Sequence, residues 1–140
     1  MPRKELLQEE LTRSVIGAFF VVYNKLRFGH FEHVYVMALE RELRKLGHRV
    51  GREVAVNVYY DGEILCTQRL DMIVDEVLIV ETKSTQELHP AARRQLLSYL
   101  HATNLEVGLL LHFGPKPKFH REICDYDKRS VRSVRSVRSV

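Results

Sequence analysis

Apolar residues recur along the chain with two different periods, and the change of period divides the sequence into helices and strands. In the first part, spacings of three and four place apolar side chains on one stripe. This pattern predicts an amphipathic helix over residues 5–27 and a second helix over residues 31–46. Phe28 and Gly29 break the first helix, and Gly47 follows the second in the position typical of a helix C-terminus.

Strand patterns begin at residue 52. Apolar and polar residues alternate over residues 52–60, and the Asp61-Gly62 pair that follows is a strong hairpin signal. Segments rich in β-branched residues over 63–74 and 77–83 predict two more strands with a short connection between them.

A third helix and a buried strand complete the pattern. Pro90 is acceptable in the first turn of a helix predicted over residues 90–103. The unbroken apolar run Val107–Phe113 predicts a central strand covered on both faces, and residues 119–124 predict a short edge strand after it. The order α-α-β-β-β-α-β predicts a mixed α/β domain with an antiparallel meander and one helical crossover.

The charge distribution separates a tail from the body of the chain. The chain has 140 residues, 45% hydrophobic and 29% charged, which suits one domain that we expect over residues 1–128. The net charge of +4 comes from the four arginines of an RSV repeat at residues 129–140, without which 18 Lys and Arg balance 18 Asp and Glu. A three-residue repeat fits neither a helix nor a strand, so we expect a disordered tail. A duplicated stretch without a role is favoured over a basic arm for phosphates.

Membrane and secretion signals are weak. The apolar run at residues 15–23 is too short to span a bilayer, and the acidic residues before it do not suit a signal peptide. Cys66 and Cys124 show no paired spacing, which favours a reducing compartment. We therefore expect a cytoplasmic protein without membrane contact. The first helix has more apolar positions than one packing face needs, which suggests a homodimer or a partner helix.

Charged side chains in otherwise apolar strands are the candidates for chemistry. Asp71 lies in the second strand, and alternation places Glu81 and Lys83 on one face of the third. Two close carboxylates repel each other unless a cation neutralises them, and oxygen ligands suit Mg²⁺ or Mn²⁺. A lysine beside them supplies a mobile charge that can hold a phosphate or activate a water.

The strand register decides whether these carboxylates meet. A two-residue turn pairs Asp71 with Val80 and puts Asp71 and Glu81 on opposite faces. An odd-numbered loop or a bulge pairs Asp71 with Glu81 and creates the acidic pair. In the first case both residues are ordinary strand-end carboxylates, satisfied by Arg69 or Lys83. The spacing alone leaves both interpretations open.

Polar pairs on two helices could flank the carboxylates. Gln95 and Tyr99 share a face of the third helix, opposite its apolar core side. Glu32 and Tyr35 share a face near the start of the second helix. Glu53 on the first strand can face either the carboxylates or solvent, and the sequence does not distinguish these two orientations.

The order of these residues resembles a known family. Gly29, Glu32 and Tyr35 match the G-x-x-E-x-x-Y signature of the bacterial GxxExxY proteins, a small family placed in the PD-(D/E)XK nuclease superfamily. The similarity covers roughly residues 10–122 and includes residues 69–71, 80–83, 95–100 and 108–114.

The resemblance implies a restriction-endonuclease-like fold with a divalent-metal site at a forked sheet. It further implies Mg²⁺- or Mn²⁺-dependent hydrolysis of phosphodiester bonds in DNA or RNA. By the same resemblance, Asp71 and Glu81 are metal ligands, and Lys83 is the catalytic lysine. Glu32 is then the supporting acidic residue at the metal.

Other positions follow the family pattern less uniformly. Gln95 and Tyr99 resemble the Q-x-x-x-Y pair of the exonuclease-like branch, which implies contacts with the substrate backbone. Thr82 stands where an apolar residue is usual, and His112 stands where an asparagine is usual.

A rival hypothesis to the nuclease is a nucleic-acid- or protein-binding module without turnover. The neutral body favours the rival, while the intact Asp71, Glu81 and Lys83 set favours the enzyme.

Overall fold

Three helices and five strands make up residues 8–124, the part of the chain that this computed structural model describes. The elements are α1 (Glu9–Leu26), α2 (Glu32–Lys45), β1 (Val50–Tyr60), β2 (Glu63–Val74), β3 (Leu78–Lys83), α3 (Ala91–His101), β4 (Val107–Phe113) and β5 (Pro117–Ile123). The predicted order is confirmed, and the predicted edge strand at residues 119–124 is present as β5, which begins two residues earlier. The predicted disordered tail at residues 129–140 lies outside the described residues.

The five strands form one sheet in the order β1-β2-β3-β4-β5. Neighbouring strands are antiparallel except for β3 and β4, which are parallel because α3 carries the chain from one to the other. Every residue of β4 is buried, which confirms the prediction of a central strand covered on both faces.

Helices cover both faces of the sheet. α1 and α2 pack on one face around Phe19 and Leu39, whereas α3 packs on the other with Leu96 and Leu100. Each face therefore has its own hydrophobic core, and the strands supply side chains to the two cores alternately. Within residues 8–124 no helix is both long and apolar enough to cross a membrane.

Most of the surplus apolar residues on α1 pack against other elements of the same chain. Phe19, Val22 and Tyr23 are buried, and the Phe20 ring packs edge-on against Phe119 of β5 at 6.2 Å between centroids. Packing against β5 explains why this helix has a broader apolar surface than one partner helix needs. Homodimerisation through α1 stays a prediction.

The connection between β2 and β3 contains three residues. Val74 pairs with Leu78, so the loop consists of residues 75–77 and β3 begins one residue later than the sequence pattern predicts. Asp75 and Glu76 have φ values of 52° and 63°, in the left-handed region that non-glycine residues rarely adopt. The loop therefore carries a conformational cost that other contacts must offset.

Hydrogen bonds from Asp75 fasten this loop to two other elements. Its carboxylate accepts from the Arg49 backbone N–H at 2.8 Å and from His48 Nδ1 at 2.7 Å. Because a carboxylate only accepts, His48 Nδ1 carries the proton. His48 Nε2 in turn lies 2.7 Å from the Ser14 hydroxyl of α1. We call this chain of Ser14, His48, Asp75 and Arg49 the loop clip.

The loop clip predicts unequal effects of two substitutions in one loop. We expect Asp75→Ala to lower the free energy of unfolding by about 1–3 kcal/mol, because the His48 and Arg49 donors lose their acceptor. Glu76→Ala is the matched control. It also places alanine at a positive φ, but the Glu76 side chain is 79% exposed, so we expect a change within about 0.5 kcal/mol. Urea denaturation of the full chain measures both values, and equal losses would contradict the role of the clip.

The same variant has a predicted pH dependence. Burial acts to raise the pKa of Asp75, but the Arg49 N–H and the bond and charge of His48 outweigh it and hold this pKa below its usual value. The clip therefore stabilises the fold fully above the pKa of an unfolded Asp, about 3.9, and its contribution falls as the pH drops through the lower folded value. The stability gap between wild type and Asp75→Ala should narrow at acid pH.

Candidate functional site

The strands β2 and β3 separate where two acidic residues face each other. Their regular pairing ends at Met72 and Val80. Beyond that pair, the Asp71 N–H donates to Glu81 Oε1 at 3.0 Å, and the Thr82 N–H donates to Asp71 Oδ2 at 3.0 Å. The Thr82 hydroxyl adds a third bond to Asp71 Oδ2 at 3.1 Å. Each carboxylate thus binds the backbone of the opposite strand, and we call Asp71, Glu81 and Thr82 the fork.

The three-residue loop produces this arrangement. Because Val74 pairs with Leu78, the same register places Asp71 opposite Glu81. This is the odd-numbered connection that an acidic pair requires. The alternative register, with Asp71 opposite Val80, does not occur.

Pairing is also interrupted on the other side of Asp71. The ladder between β1 and β2 runs through the pairs on either side but skips Asp71 and the residue opposite it, Glu53. Glu53 has a φ of 51° and an exposed side chain, while its carbonyl accepts a long bond of 3.5 Å from Arg69. Glu53 is therefore accessible to solvent, and its strained backbone marks where the sheet opens around Asp71.

Glu32, at the start of α2, approaches the fork from the side of α1 and α2. Burial raises the pKa of Glu32, and the charge of Asp71 raises it further. Lys83 and a hydrogen bond with Thr82 act in the opposite direction without reversing the shift. These interactions show that Glu32 belongs to the same electrostatic cluster as Asp71 and Lys83.

The loop before α2 is held against the end of β3. The Tyr35 hydroxyl donates to the Arg27 carbonyl and accepts from the His30 N–H at 3.1 Å. The Ser84 hydroxyl donates to the His30 carbonyl at 2.7 Å, and Ser84 directly follows Lys83 in the sequence. The loop and the strand end therefore keep a fixed relative position.

These contacts give a physical reason for the G-x-x-E-x-x-Y spacing. Gly29 has a φ of 128°, which only glycine adopts readily. Tyr35 is fully buried one turn into α2, where its ring packs on Phe113 at 4.2 Å between centroids and its hydroxyl closes the loop. Glu32 lies between these two fixed points and is directed to the fork.

Glu81 is the most strongly perturbed acid of the cluster. Only 3% of its surface is exposed. Burial, and secondly the charge of Asp71, raise the pKa of Glu81 to about 8, against the lowering effect of the Asp71 N–H and of Lys83. At neutral pH and without a cation, the Glu81 carboxyl is therefore mostly protonated, because burial and the nearby charge of Asp71 both disfavour its charged form.

α3 brings the Gln95 and Tyr99 pair to the opposite side of the fork. The prediction that both lie opposite the core side of this helix is wrong for Tyr99, which is buried in the core with Leu96 and Leu100. Burial, followed by the charges of Glu81 and Asp71, raises the pKa of Tyr99 to about 12, while a hydrogen bond with Gln95 lowers it. Gln95 is exposed and lines, together with Lys83, a cleft of about 520 Å³. The structure thus brings together the predicted residues Asp71, Glu81, Lys83, Glu32, Gln95 and Tyr99.

Thr82 is the residue of the cluster that sequence reasoning missed. It is fully buried, donates two hydrogen bonds to Asp71 and interacts with Glu32. The available signal was a polar residue between Glu81 and Lys83, where the family pattern has an apolar one.

The donor set suits a hard divalent cation. Within the described residues, no three His, Cys, Asp or Glu side chains are grouped to hold a metal ion by themselves. Mg²⁺ does not require such a cage, since it is usually held by one or two carboxylates together with waters and substrate phosphates. Two opposed carboxylates, one of them with a pKa raised by burial and by the charge of the other, are suited to such an ion.

Comparison with known proteins agrees with this geometry. A family model of the PD-(D/E)XK nuclease superfamily matches residues 9–123. The chain belongs to this superfamily, and the mixed sheet with flanking helices is consistent with a restriction-endonuclease-like fold. Searches of curated proteins and of solved structures give no significant match.

The raised pKa of Glu81 predicts how pH affects the metal-free protein. Between the pKa of an unfolded Glu and about 8, the folded state binds more protons than the unfolded state, so the stability of wild type falls as the pH rises. Glu81→Gln keeps the acceptor for Asp71 N–H but removes the charge. We expect it to be more stable than wild type by roughly 2–4 kcal/mol at pH 8 and nearly equal at pH 5.

Denaturation in EDTA at several pH values measures this difference. Glu53→Gln is the matched control, because it removes a carboxylate that faces solvent in the neighbouring strand. Parallel pH profiles for wild type and Glu81→Gln would contradict the assignment of Glu81 as a buried, repelled carboxyl.

Proposed function

We propose that the protein is a metal-dependent nuclease that hydrolyses phosphodiester bonds of DNA or RNA with Mg²⁺ or Mn²⁺. The fork is the observation that carries this proposal, because it sets two carboxylates from opposing strands beside Lys83. Membership of a nuclease superfamily supports the reaction class.

The acidic residues would hold the ion. Asp71 and Glu81 supply the carboxylate oxygens, and Glu32 supports a water bound to the ion. A divalent cation at this place polarises the scissile phosphate and lowers the pKa of a bound water. With such an ion bound, Glu81 would be held as a carboxylate, because a cation would favour its charged form.

Lys83 would act on the phosphate or on the attacking water. None of the ion pairs among the described residues uses its ammonium, which lines the cleft next to Gln95. The Lys83 charge therefore positions the water or stabilises the charge that develops on the phosphate oxygens. Tyr99 stays protonated at neutral pH and, with Gln95, contributes hydrogen bonds to the substrate backbone.

Narrower proposals accompany this function. The match of Gly29, Glu32 and Tyr35 supports membership of the bacterial GxxExxY family. Cys66 and Cys124 show no paired spacing in the sequence, which supports a cytoplasmic location. A homodimer through α1 is the third proposal, and light scattering of the purified protein tests it.

The decisive experiment is a cleavage assay with Asp71→Asn. Wild type is incubated with single- and double-stranded DNA and RNA in Mg²⁺, Mn²⁺ or EDTA, and we expect cleavage only with a metal. Asp71→Asn should abolish cleavage while the protein stays folded, because asparagine keeps an oxygen for Thr82 but loses the ligand charge. Glu53→Gln should cleave like wild type. Absence of both cleavage and calorimetric Mg²⁺ or Mn²⁺ binding would favour the binding module without turnover.

Lys83→Ala separates catalysis from metal binding. We expect single-turnover rates to fall by about 10²-fold or more, because a group that stabilises transition-state charge is lost. Mn²⁺ affinity measured by calorimetry should change by less than about threefold, since the carboxylates are retained. A loss of Mn²⁺ affinity as large as the loss of rate would assign Lys83 to the metal site instead.

A further inference from the structure

A second cleft continues the one beside the proposed nuclease centre. The first, of about 520 Å³, contains Lys83 and Gln95. The second, of about 540 Å³, lies between the β3–α3 connection, the start of α3 and β5. Leu88 and His89 line both clefts, so the two are adjacent. We call them together the α3 groove.

Basic side chains outnumber acidic ones along the α3 groove. Lys83 and Arg94 line its first part, and Arg93 and Lys118 line its second part, where Glu87 is the single acidic residue of the described lining. The body of the chain has equal numbers of basic and acidic residues. The groove is therefore a local concentration of positive charge on a neutral domain, of the kind that attracts phosphates.

Two side chains of β5 are suited to contact an anion. Lys118 is exposed and takes part in none of the ion pairs among the described residues, whereas Arg93 is already bound to Glu122. His120 is partly buried beside them. Burial, and then the charge of Arg93, lower the pKa of His120, so this ring is largely neutral at pH 7 and gains a proton more readily when an anion binds next to it.

The floor of the groove is fixed by a buried histidine. His112 Nε2 donates to the Thr85 carbonyl at 2.9 Å and lies 3.1 Å from the Thr85 hydroxyl, which itself donates to the Glu87 carbonyl at 2.7 Å. Gly114 leaves room for the ring, since a Cβ there would lie 2.6 Å from His112 Cε1. The β3–α3 connection is thus held in place before any ligand binds, which lowers the entropic cost of binding.

We propose that the α3 groove binds the nucleic-acid strand that flanks the cleavage position, with Lys118 and His120 on its phosphates. This inference rests on the proposed nuclease function. The ligand is a phosphodiester backbone beyond the scissile phosphate, and the contacts are independent of base sequence. Arg94 adds charge along the same path, whereas the charge of Arg93 is already paired with Glu122.

Binding measured without cleavage tests the groove. The probe is a fluorescent single-stranded DNA of about 12 nucleotides in EDTA, long enough to cover a typical single-strand site. We expect the double variant Lys118→Gln/His120→Gln to bind about fivefold more weakly at low salt, and the slope of log K against log salt to fall by about one. Arg41→Gln is the matched control. It removes an exposed cation of α2 that lines a different cleft, and the RSV tail is the same in all variants.

Kinetics distinguishes the groove from the nuclease function. If wild type cleaves DNA or RNA, the double variant should lose about fivefold in kcat/KM, and the loss should appear in KM. If wild type cleaves, but the double variant has the same affinity, salt slope and KM as Arg41→Gln, the groove is overturned and the nuclease function stays intact. In a further outcome, wild type does not cleave DNA or RNA, but the double variant binds the oligonucleotide more weakly and with a smaller salt slope. This outcome would support the groove and overturn the nuclease function. Absence of oligonucleotide binding by wild type would overturn the groove.

Discussion

The geometry of the candidate site depends on the exchange of hydrogen bonds between two carboxylates and the backbones of opposing strands. In a regular ladder the amides of Asp71 and Thr82 would bind carbonyl groups, whereas here they donate to Glu81 and Asp71. The two acids therefore stay between the strands, and their mutual repulsion is only partly offset by these dipoles. A buried Glu81 with a raised pKa is the cost of this arrangement, and a bound cation would remove this cost.

The hydrophobic cores select the register on which this exchange depends. Met72 and Leu78 face the core under α1 and α2, while Ile73 and Ile79 face the core under α3. A slip of one residue would place opposed apolar side chains on different faces, so packing on both sides excludes it. The loop with an extra residue follows from this requirement, and the loop clip of Ser14, His48, Asp75 and Arg49 stabilises its unusual backbone. The alignment of the acids is in this sense a consequence of core packing.

Most of the fold could be predicted because each helix and several strands have a visible apolar period. The length of the β2–β3 loop could not, because Val77, Leu78, Ile79 and Val80 are all apolar and show no alternation that would assign each to a face. That assignment depends on helices distant in sequence. The role of Thr82 was hidden for a similar reason, since a threonine in a strand is ordinary until Asp71 is placed within hydrogen-bond reach of it. The sequence pattern singled out the candidate site residues and left two registers open, whereas the family resemblance supplied the roles of these residues.

A domain without net charge can still present a cationic groove, because salt screens the groove from acidic residues that lie far away. The acidic cleft of Glu9, Glu10 and Asp75 lies at one end of β3, and Lys83 ends the strand six residues on. This separation is roughly 20 Å, well beyond the screening length of about 8 Å at physiological ionic strength. Net charge is thus a poor guide to the surface that a phosphate meets. In the proposed function, the acidic pair repels the scissile phosphate, while the basic residues of the α3 groove hold its neighbours. Metal and strand binding are then coupled, because the ion turns the repulsive end of the path into an attractive one.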